Sequence, residues 1–197
     1  MTVVTPNRRS SGTHSNLSEA DVVGAAVRLS RRVGLAGVSM RALADELGVT
    51  TMAAYYHVSN KAALLDLLAN AVLGSVQIPQ EGDWAARLAE QNRRMRQTLL
   101  AHPGLSTYLQ ERPLTEAGRS ITDHTLEMLQ MAGFSKADAR LAATTTQAFL
   151  LGRLSIEMAT GGTSPRAEEA FDYGLSVIIA GLREQLETSR RTRVRSR

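Results

Sequence analysis

The sequence predicts an all-α protein in which a small domain of three helices precedes a larger helical domain. Apolar residues recur three and four positions apart through most of the 197 residues, which is the period of helices with one buried face. There are only five prolines, and aromatic residues make up 4% of a chain that is 43% hydrophobic, so the predicted core is aliphatic. No run approaches the roughly 18 apolar residues of a membrane span, and the start lacks the apolar stretch of a signal peptide. The expected location is therefore the cytoplasm.

Cysteine is absent from the chain, which excludes disulfides, thiolate zinc sites and cysteine nucleophiles. The sequence also lacks a hydrolase-like order of Ser, His and Asp, a glycine-rich phosphate loop and a cluster of metal ligands. We therefore expect no catalytic residues, no bound metal and no cofactor.

The first helix is predicted to begin after Ser18, a typical N-cap residue. Asp21 then lies in the first turn, where the helix dipole stabilises a negative charge. Gly34 is predicted to end the helix, since glycine readily adopts the positive φ of a helix C-terminus. This helix would pack across the next two helices and fix their angle.

Two short helices follow, joined by a tight turn. Ser39 is the N-cap candidate of the first, Gly48 can end it with a positive φ, and Thr50 or Thr51 can cap a second helix that runs to about Val58. The apolar face of the first of these helices has the spacing i, i+3, i+4, i+7 and consists of Met40, Leu43, Ala44 and Leu47. Two short helices around a turn of about three to four residues with a glycine are typical of a DNA-binding helix-turn-helix.

The second of these short helices carries polar and aromatic side chains but no formal charge. Thr51, Tyr55 and His57 would lie on its exposed face, where each can hydrogen-bond to phosphates or base edges. Tyr56 is expected to pack inward as a wedge. The alternative is that the whole helix is buried as core, which requires a hydrogen-bond partner for every polar tip.

This segment resembles the DNA-binding domain of the TetR (tetracycline repressor) family. The matching positions are Leu43-Ala44, Leu47-Gly48-Val49, Tyr55-Tyr56-His57-Val58, Asn60-Lys61 and Leu64-Leu65. Residues 171–186 are more weakly similar to the last helix of the tetracycline repressor. The resemblance implies an operator-binding head, a ligand-binding body and a dimer, with the fourth helix coupling the ligand to DNA.

The resemblance implies DNA contacts from the matched positions, and the chemistry of the side chains supports such roles. Arg41 can fork onto a guanine edge or a phosphate, whereas Lys61 is a point charge for phosphate. The predicted DNA-binding residues are Ser39, Arg41, Thr50, Thr51, Met52, Tyr55, Tyr56, His57 and Lys61.

Caps and helix breakers divide the rest of the chain into further helices. The predicted ranges after the fourth helix are 84–101, 105–110, 116–132, 136–160 and 166–187. On the fifth helix, Arg87, Arg93, Arg94 and Arg96 are expected to form a solvated face.

The last two helices contain stretches at 142–152 and 174–182 that are rich in small residues and apolar nearly all round. Both faces of such helices must be covered, so we expect a four-helix bundle with two helices from each of two subunits. Burial within one subunit is the alternative. The predicted dimer interface consists of Thr145, Phe149, Gly152, Leu175, Ile178 and Leu182.

The larger domain is expected to hold a cavity for a small-molecule effector, as the resemblance implies. The candidate lining consists of Gln91, Met95, Leu105, Tyr108, Leu109, Leu126, Gln147 and Leu151, for each of which ordinary core packing is the alternative. In the tetracycline repressor a histidine of the sixth helix holds the magnesium that accompanies the drug. The matching position falls near Leu109, which cannot bind a metal, so the expected effector is mostly apolar and uncharged or weakly polar.

Charge divides the chain into basic ends and an acidic middle. The net charge is +4, with seven Lys and Arg against four Asp and Glu in residues 1–61, and five arginines without an acid in residues 188–197. Basic segments favour polyanions such as DNA. The predicted domains are a disordered basic arm (1–16), a helix-turn-helix domain (17–62), an effector-binding and dimerisation domain (63–187) and a disordered Arg-rich tail (188–197).

Together these features predict a homodimeric transcriptional regulator. We expect it to be a repressor that binds a palindromic double-stranded DNA operator and is released by an unidentified small-molecule effector. A ligand-independent or architectural DNA-binding protein is the alternative, since the basic ends permit it. Such a protein would bind DNA with a strong salt dependence but little preference for sequence.

Overall fold

The structure is a computed structural model that describes residues 17–112 and 115–195, with side chains described as far as Thr192. Within this part every regular element is a helix, which confirms the all-α prediction. The helices are α1 (Glu19–Gly37), α2 (Met40–Leu47), α3 (Thr51–His57), α4 (Lys61–Gly74), α5 (Trp84–Leu100), α6 (Leu105–Gln110), α7 (Glu116–Met131), α8 (Lys136–Ala159) and α9 (Pro165–Arg195). The predicted arm over residues 1–16 lies outside the described residues.

Helix α1 begins where the sequence predicts but does not end at Gly34. The Ser18 hydroxyl accepts a hydrogen bond from the Asp21 backbone N–H (3.1 Å), and the Asp21 carboxylate accepts one from the Ser18 N–H (2.9 Å). Gly34 has a φ of +67° and deflects the helix, which then makes a further turn to Gly37. The backbone N–H of Leu35 donates to the carbonyl oxygen of Pro103 (2.8 Å), so the deflected turn is attached to the loop that precedes α6.

Helix α9 is longer than predicted. It continues through residues 188–195, so the prediction of a disordered tail is wrong for this segment. Residues 196–197 of the predicted tail lie outside the described residues. The guanidinium of Arg190 donates to the Ala132 carbonyl oxygen at the end of α7 (2.6 Å) and fastens the last turns to the body. No glycine or proline interrupts the helix after Gly181.

One apolar core runs from the small domain into the larger one. Val22 of α1, Leu43 of α2 and Leu68 of α4 belong to the same buried cluster as Leu99 of α5 and Leu154 of α8. A second cluster lies between α5, α7, α8 and α9, where the rings of Trp84 and Phe134 pack edge to face with centroids 5.1 Å apart. Among the described residues, no helix is long and apolar enough to cross a membrane.

The predicted solvated arginine face of α5 is wrong for Arg96. This side chain is buried and forms two hydrogen bonds with the carboxylate of Glu157 on α8 (2.8 and 3.2 Å). Its guanidinium also donates to the Thr163 hydroxyl (3.2 Å) and lies 5.1 Å from the centroid of the Phe171 ring. The arginine is therefore turned inward by an acid 61 positions along the chain.

Candidate DNA-binding surface and effector cavity

The turn between α2 and α3 is fixed by local hydrogen bonds. Ser39 caps α2 by accepting from the Ala42 N–H (3.1 Å), and Thr50 caps α3 by accepting from the Ala53 N–H (3.2 Å). Gly48 has a φ of +68° with open space beside it, so the backbone conformation rather than crowding requires glycine there. Both capping hydroxyls keep their own proton, which leaves each able to donate to a phosphate.

Helix α3 buries one small face and exposes the rest. Ala54 is its only buried residue, and Val58, directly after it, is buried on the same side. Thr51, Met52, Tyr55, Tyr56 and His57 are all exposed.

The expected inward packing of Tyr56 is wrong, because its side chain is 84% exposed. It lies two residues from Ala54 and so points about 200° around the helix from the buried face. The small residues Ala54 and Val58 fill the space that the tyrosine was expected to fill.

The cations predicted to flank α3 are exposed. Arg41 lies in the first turn of α2 and Lys61 is the first residue of α4. Helix α4 is capped by Asn60, whose side-chain oxygen accepts from the Ala63 N–H (2.9 Å).

The acidic residue Glu46 of α2 is neutralised by α1. Its carboxylate accepts hydrogen bonds from Arg32 (2.7 Å) and Arg28 (3.2 Å), which hold the pKa of Glu46 below its usual value. The ion pairs dock α2 against α1.

The body holds a cavity of about 130 Å³ between α4, α5, α6, α7 and α8, with the exposed residue Gln147 in its lining. Five of the predicted lining residues line it, namely Gln91, Met95, Leu109, Gln147 and Leu151. Apart from Gln91 and Gln147, the polar lining was not predicted from the sequence; it includes Asn92, Thr115, Thr122, Thr125 and Thr146. Thr122 and Thr125 are one helical turn apart on α7, a spacing that indicates a shared face.

Three predicted lining residues lie outside the cavity. Leu105 is fully buried in the core that joins the two domains. Leu126 packs against the second apolar cluster. Tyr108 donates its hydroxyl proton to the Asp66 carboxylate of α4 (2.6 Å), and burial together with this acid raises the pKa of Tyr108 to about 12.

No metal site is associated with the cavity. Within residues 17–112 and 115–195, no three His, Asp or Glu side chains are grouped so that they could hold a metal ion.

His102 joins the loop before α6 to α1. The Ser30 hydroxyl donates to the Val27 carbonyl (2.9 Å), and Arg31 Nε–H donates to His102 Nε2 (3.3 Å). His102 is therefore neutral, with its proton on Nδ1, from which it donates to Ser30 Oγ (2.6 Å). We refer to Ser30, Arg31 and His102 as the head–body clasp.

The clasp predicts a pH dependence of stability. Burial, and then the charge of Arg31, hold the pKa of His102 below its usual 6.5. As pH falls below about 6.5 the unfolded chain takes up a proton before the folded chain does, so the free energy of unfolding falls until the depressed folded pKa is passed. Urea unfolding between about pH 7.5 and about pH 5 should show a smaller pH dependence for His102→Gln than for the wild type.

The exposed residue His57 provides the control for this measurement. The variant His57→Gln should keep the pH dependence of the wild type. An unchanged pH dependence in His102→Gln would contradict the assignment of a buried neutral imidazole to the clasp.

The predicted dimer residues do not all face outward. Leu175 is 1% exposed and so is not available to a partner, whereas Leu182 is 8% exposed and lines an open groove between α8 and α9. The Phe149 ring packs on Phe171 (centroids 5.5 Å apart) and closely against Gly174. Thr145 and Gly152 are exposed, and Ile178 is partly buried.

The exposed apolar surface of α8 and α9 includes Thr145, Ile178 and Leu182 of the predicted interface and adds Leu141 and Val177. Leu141, Thr145, Val177 and Gly181 line an open groove between the two helices. Val177 is 53% exposed and Leu141 is 66% exposed. Tyr173 lies one turn before Val177 and is also exposed. Because both helices are apolar nearly all round, the sequence did not show which of their faces packs inside the subunit and which is exposed.

A small head with a helix-turn-helix, an exposed polar α3 and flanking cations, joined to a helical body with a cavity, defines a DNA-binding transcriptional regulator.

Comparison with known proteins gives the family. Residues 22–68 match the model of the bacterial regulatory proteins of the tetR family, and residues 78–166 match the model of the tetracycline repressor-like C-terminal domain. The class A tetracycline repressor protein from transposon 1721 of Escherichia coli is 34% identical, over 85% of this chain and 91% of that protein.

Solved structures agree with the family models. The ActR protein of Streptomyces coelicolor in complex with actinorhodin is 25% identical, with a TM-score of 0.76 over 87% of this chain and 98% of that one. BioQ with its double-stranded DNA operator is 30% identical, with a TM-score of 0.67 over 85% of this chain and 98% of that one. The chain belongs to the TetR family of bacterial transcriptional regulators.

Proposed function

We propose that this protein is a homodimeric cytoplasmic repressor that binds a palindromic operator through α3 and is released by a small molecule bound in the body cavity. The observation that carries the proposal is the surface of α3, which is exposed, free of acidic residues and flanked by Arg41 and Lys61. The relatives support it, since one is named as a tetracycline repressor and one was solved with its DNA operator. The family supports a regulatory rather than an enzymatic role.

Two kinds of contact would hold the head on the operator, namely contacts to phosphates and contacts to base edges. Lys61, Arg41 and the hydroxyls of Ser39 and Thr50 suit phosphates, which fix the register of the head on DNA. Thr51, Met52, Tyr55, Tyr56 and His57 would meet base edges and thymine methyl groups in the major groove. In the dimer, two copies of α3 would lie about 34–36 Å apart, one turn of B-DNA.

The dimer would form through the groove between α8 and α9. Leu141 and Val177 are large apolar side chains left uncovered beside the small residues Thr145 and Gly181. Small residues allow helices to approach closely, and a two-fold axis would place the same groove of a second copy against it. Ile178 and Gly152 would contribute at its edges.

Release by an effector would pass through α4 and α6. Leu73 of α4 and Leu109 of α6 both line the cavity. Tyr108, the neighbour of Leu109, is hydrogen-bonded to Asp66 of α4, and the loop before α6 is held to α1 by the head–body clasp. A ligand that binds better when α6 and α4 have shifted would favour a second spacing of the two heads and so weaken operator binding.

Sequence selection from a random DNA pool, at near-physiological salt, tests the proposal. Recovery of a palindrome whose half-sites lie about one turn apart supports a dimeric operator reader. Recovery of unselected DNA with strong salt dependence would instead identify an architectural DNA-binding protein.

Lys61→Ala gives a sharper measure of the DNA surface. Two phosphate contacts are removed per dimer, so the slope of the logarithm of the operator association constant against the logarithm of the salt concentration should decrease by about 2. Lys136→Ala removes an exposed lysine of the body and provides the matched control, which should keep the wild-type slope. Equal slopes for the two variants would remove Lys61 from the DNA surface.

A further inference from the structure

The cavity of the body is uncharged. Its lining consists of aliphatic side chains, methionine, threonines and side-chain amides, and no charged residue belongs to it among the residues that the structure describes. A charged ligand would leave water without gaining an opposite charge, which is strongly unfavourable. The lining therefore selects for a neutral molecule.

Three of the four threonine hydroxyls in the cavity lining act as hydrogen-bond acceptors. Thr122 donates its proton to the Gly118 carbonyl (2.9 Å), Thr125 to that of Ile121 (2.8 Å) and Thr146 to that of Ala142 (2.9 Å). A hydroxyl has a single proton, so these groups can offer only oxygen lone pairs to a ligand. These three hydroxyls therefore suit a ligand that carries a hydrogen-bond donor.

Gln91 adds an acceptor without a partner. Its Nε2 donates to Thr125 Oγ1 (2.7 Å), and no hydrogen-bond partner of Oε1 lies among the described protein atoms, although the residue is only 7% exposed. This orientation of the amide lets the Thr125 hydroxyl keep its hydrogen bond to the Ile121 carbonyl (2.8 Å), whereas a reversed amide would need that same proton. An acceptor buried in this way is unfavourable until a donor reaches it.

We propose that the cavity binds a small neutral molecule with an apolar body and an O–H or N–H group that donates to Gln91 Oε1. This inference rests on the proposed function, since it names the chemical class of the effector. The cavity volume of about 130 Å³ suits one ring, because an apolar cavity of about 150 Å³ is large enough for benzene. A second fused ring can extend toward solvent beside Gln147, which lines the cavity and is exposed.

The test compares two bicyclic probes of nearly equal shape. Indole carries an N–H donor at the position where benzofuran carries an oxygen, and both are neutral. In calorimetric titrations of the full-length protein without DNA, indole should bind about tenfold more tightly than benzofuran, the effect of one buried hydrogen bond. Benzoate, an anion of similar size, should bind at least about tenfold more weakly than indole.

Two variants locate the acceptor. Gln91→Leu keeps the approximate volume but removes the amide, so indole and benzofuran should bind with similar affinity. Gln97→Leu removes an exposed amide of the same helix that does not line the cavity, and this control should keep the preference for indole. The comparison of indole with benzofuran in the wild type needs neither variant, so the inference stays testable if Gln91→Leu does not fold.

Each outcome decides a separate part of the inference. If indole and benzofuran bind the wild type with equal affinity, or if the preference for indole survives in Gln91→Leu, the proposed hydrogen bond from the ligand to Gln91 is wrong. If benzoate binds as tightly as indole, the selection for a neutral ligand is wrong. If neither bicyclic probe binds, the proposed ligand size is wrong.

The DNA selection described above is independent of these titrations. A recovered palindrome without an indole preference refutes the ligand class alone, whereas an indole preference without operator binding refutes the proposed repressor alone.

Discussion

Glu157→Gln is expected to lower the free energy of unfolding by about 3–5 kcal/mol, because it leaves the Arg96 guanidinium buried without its counter-charge. The Glu157 side chain is 1% exposed and that of Arg96 is 8% exposed, so water cannot replace the lost carboxylate. The pair also ties α5 to α8, the two helices that carry Gln91 and Gln147 of the cavity.

Urea unfolding at a fixed protein concentration measures this effect, since dimerisation makes apparent stability depend on concentration. Asp172→Asn breaks the exposed ion pair with Arg93 (2.8 Å) and is the matched control, with an expected loss below about 1 kcal/mol. The double variant Arg96→Met, Glu157→Leu should regain most of the stability, because it removes both charges. A Glu157→Gln protein as stable as Asp172→Asn would show that the buried pair is not important for stability.

Val177→Glu is expected to separate the dimer. The side chain is 53% exposed in the isolated subunit and lines the groove between α8 and α9, so a carboxylate there would be buried against its copy at a two-fold interface. A monomer can hold only one half-site, so operator affinity should fall by about 100-fold or more. Light scattering after size-exclusion chromatography and an operator-binding titration measure the two effects.

The neighbouring residue Ser176 provides the control. It is exposed but lines a different groove, between α9 and α5, so Ser176→Glu adds the same charge outside the proposed interface and should leave the dimer intact. Leu175→Glu is expected to destabilise the subunit itself, because Leu175 is buried inside it. A dimer of unchanged affinity in Val177→Glu would place the interface elsewhere.

The head was predicted closely from the sequence because its structure depends on near neighbours. Each of its three N-caps accepts a hydrogen bond from the backbone N–H three residues further along the chain; the caps are Ser39, Thr50 and Asn60. Gly48 ends α2 because its own backbone has a positive φ. Tyr56 was wrongly predicted to pack inward, because the sequence does not show that the small residues Ala54 and Val58 alone form the buried side of α3.

The cavity was predicted only in part. Met95, Leu109 and Leu151 could be assigned to its lining, but Leu105 and Leu126 have the same apolar character and lie in the surrounding core. Gln91 and Gln147 were predicted, but the threonines were missed because the sequence does not show where the oxygen of a threonine that hydrogen-bonds to its own helix points.

The sequence by itself determined most of the helices and their caps, the helix-turn-helix and the absence of cysteine chemistry. These follow from interactions over a few residues and from composition. Only the tertiary structure decided which face of α9 is buried, since its sequence is apolar on several sides and only the packing of α5 and α8 selects one. It also decided that Arg96 turns inward and that Gln91 keeps an unpaired oxygen, because both depend on side chains that are 61 and 34 positions away in the chain.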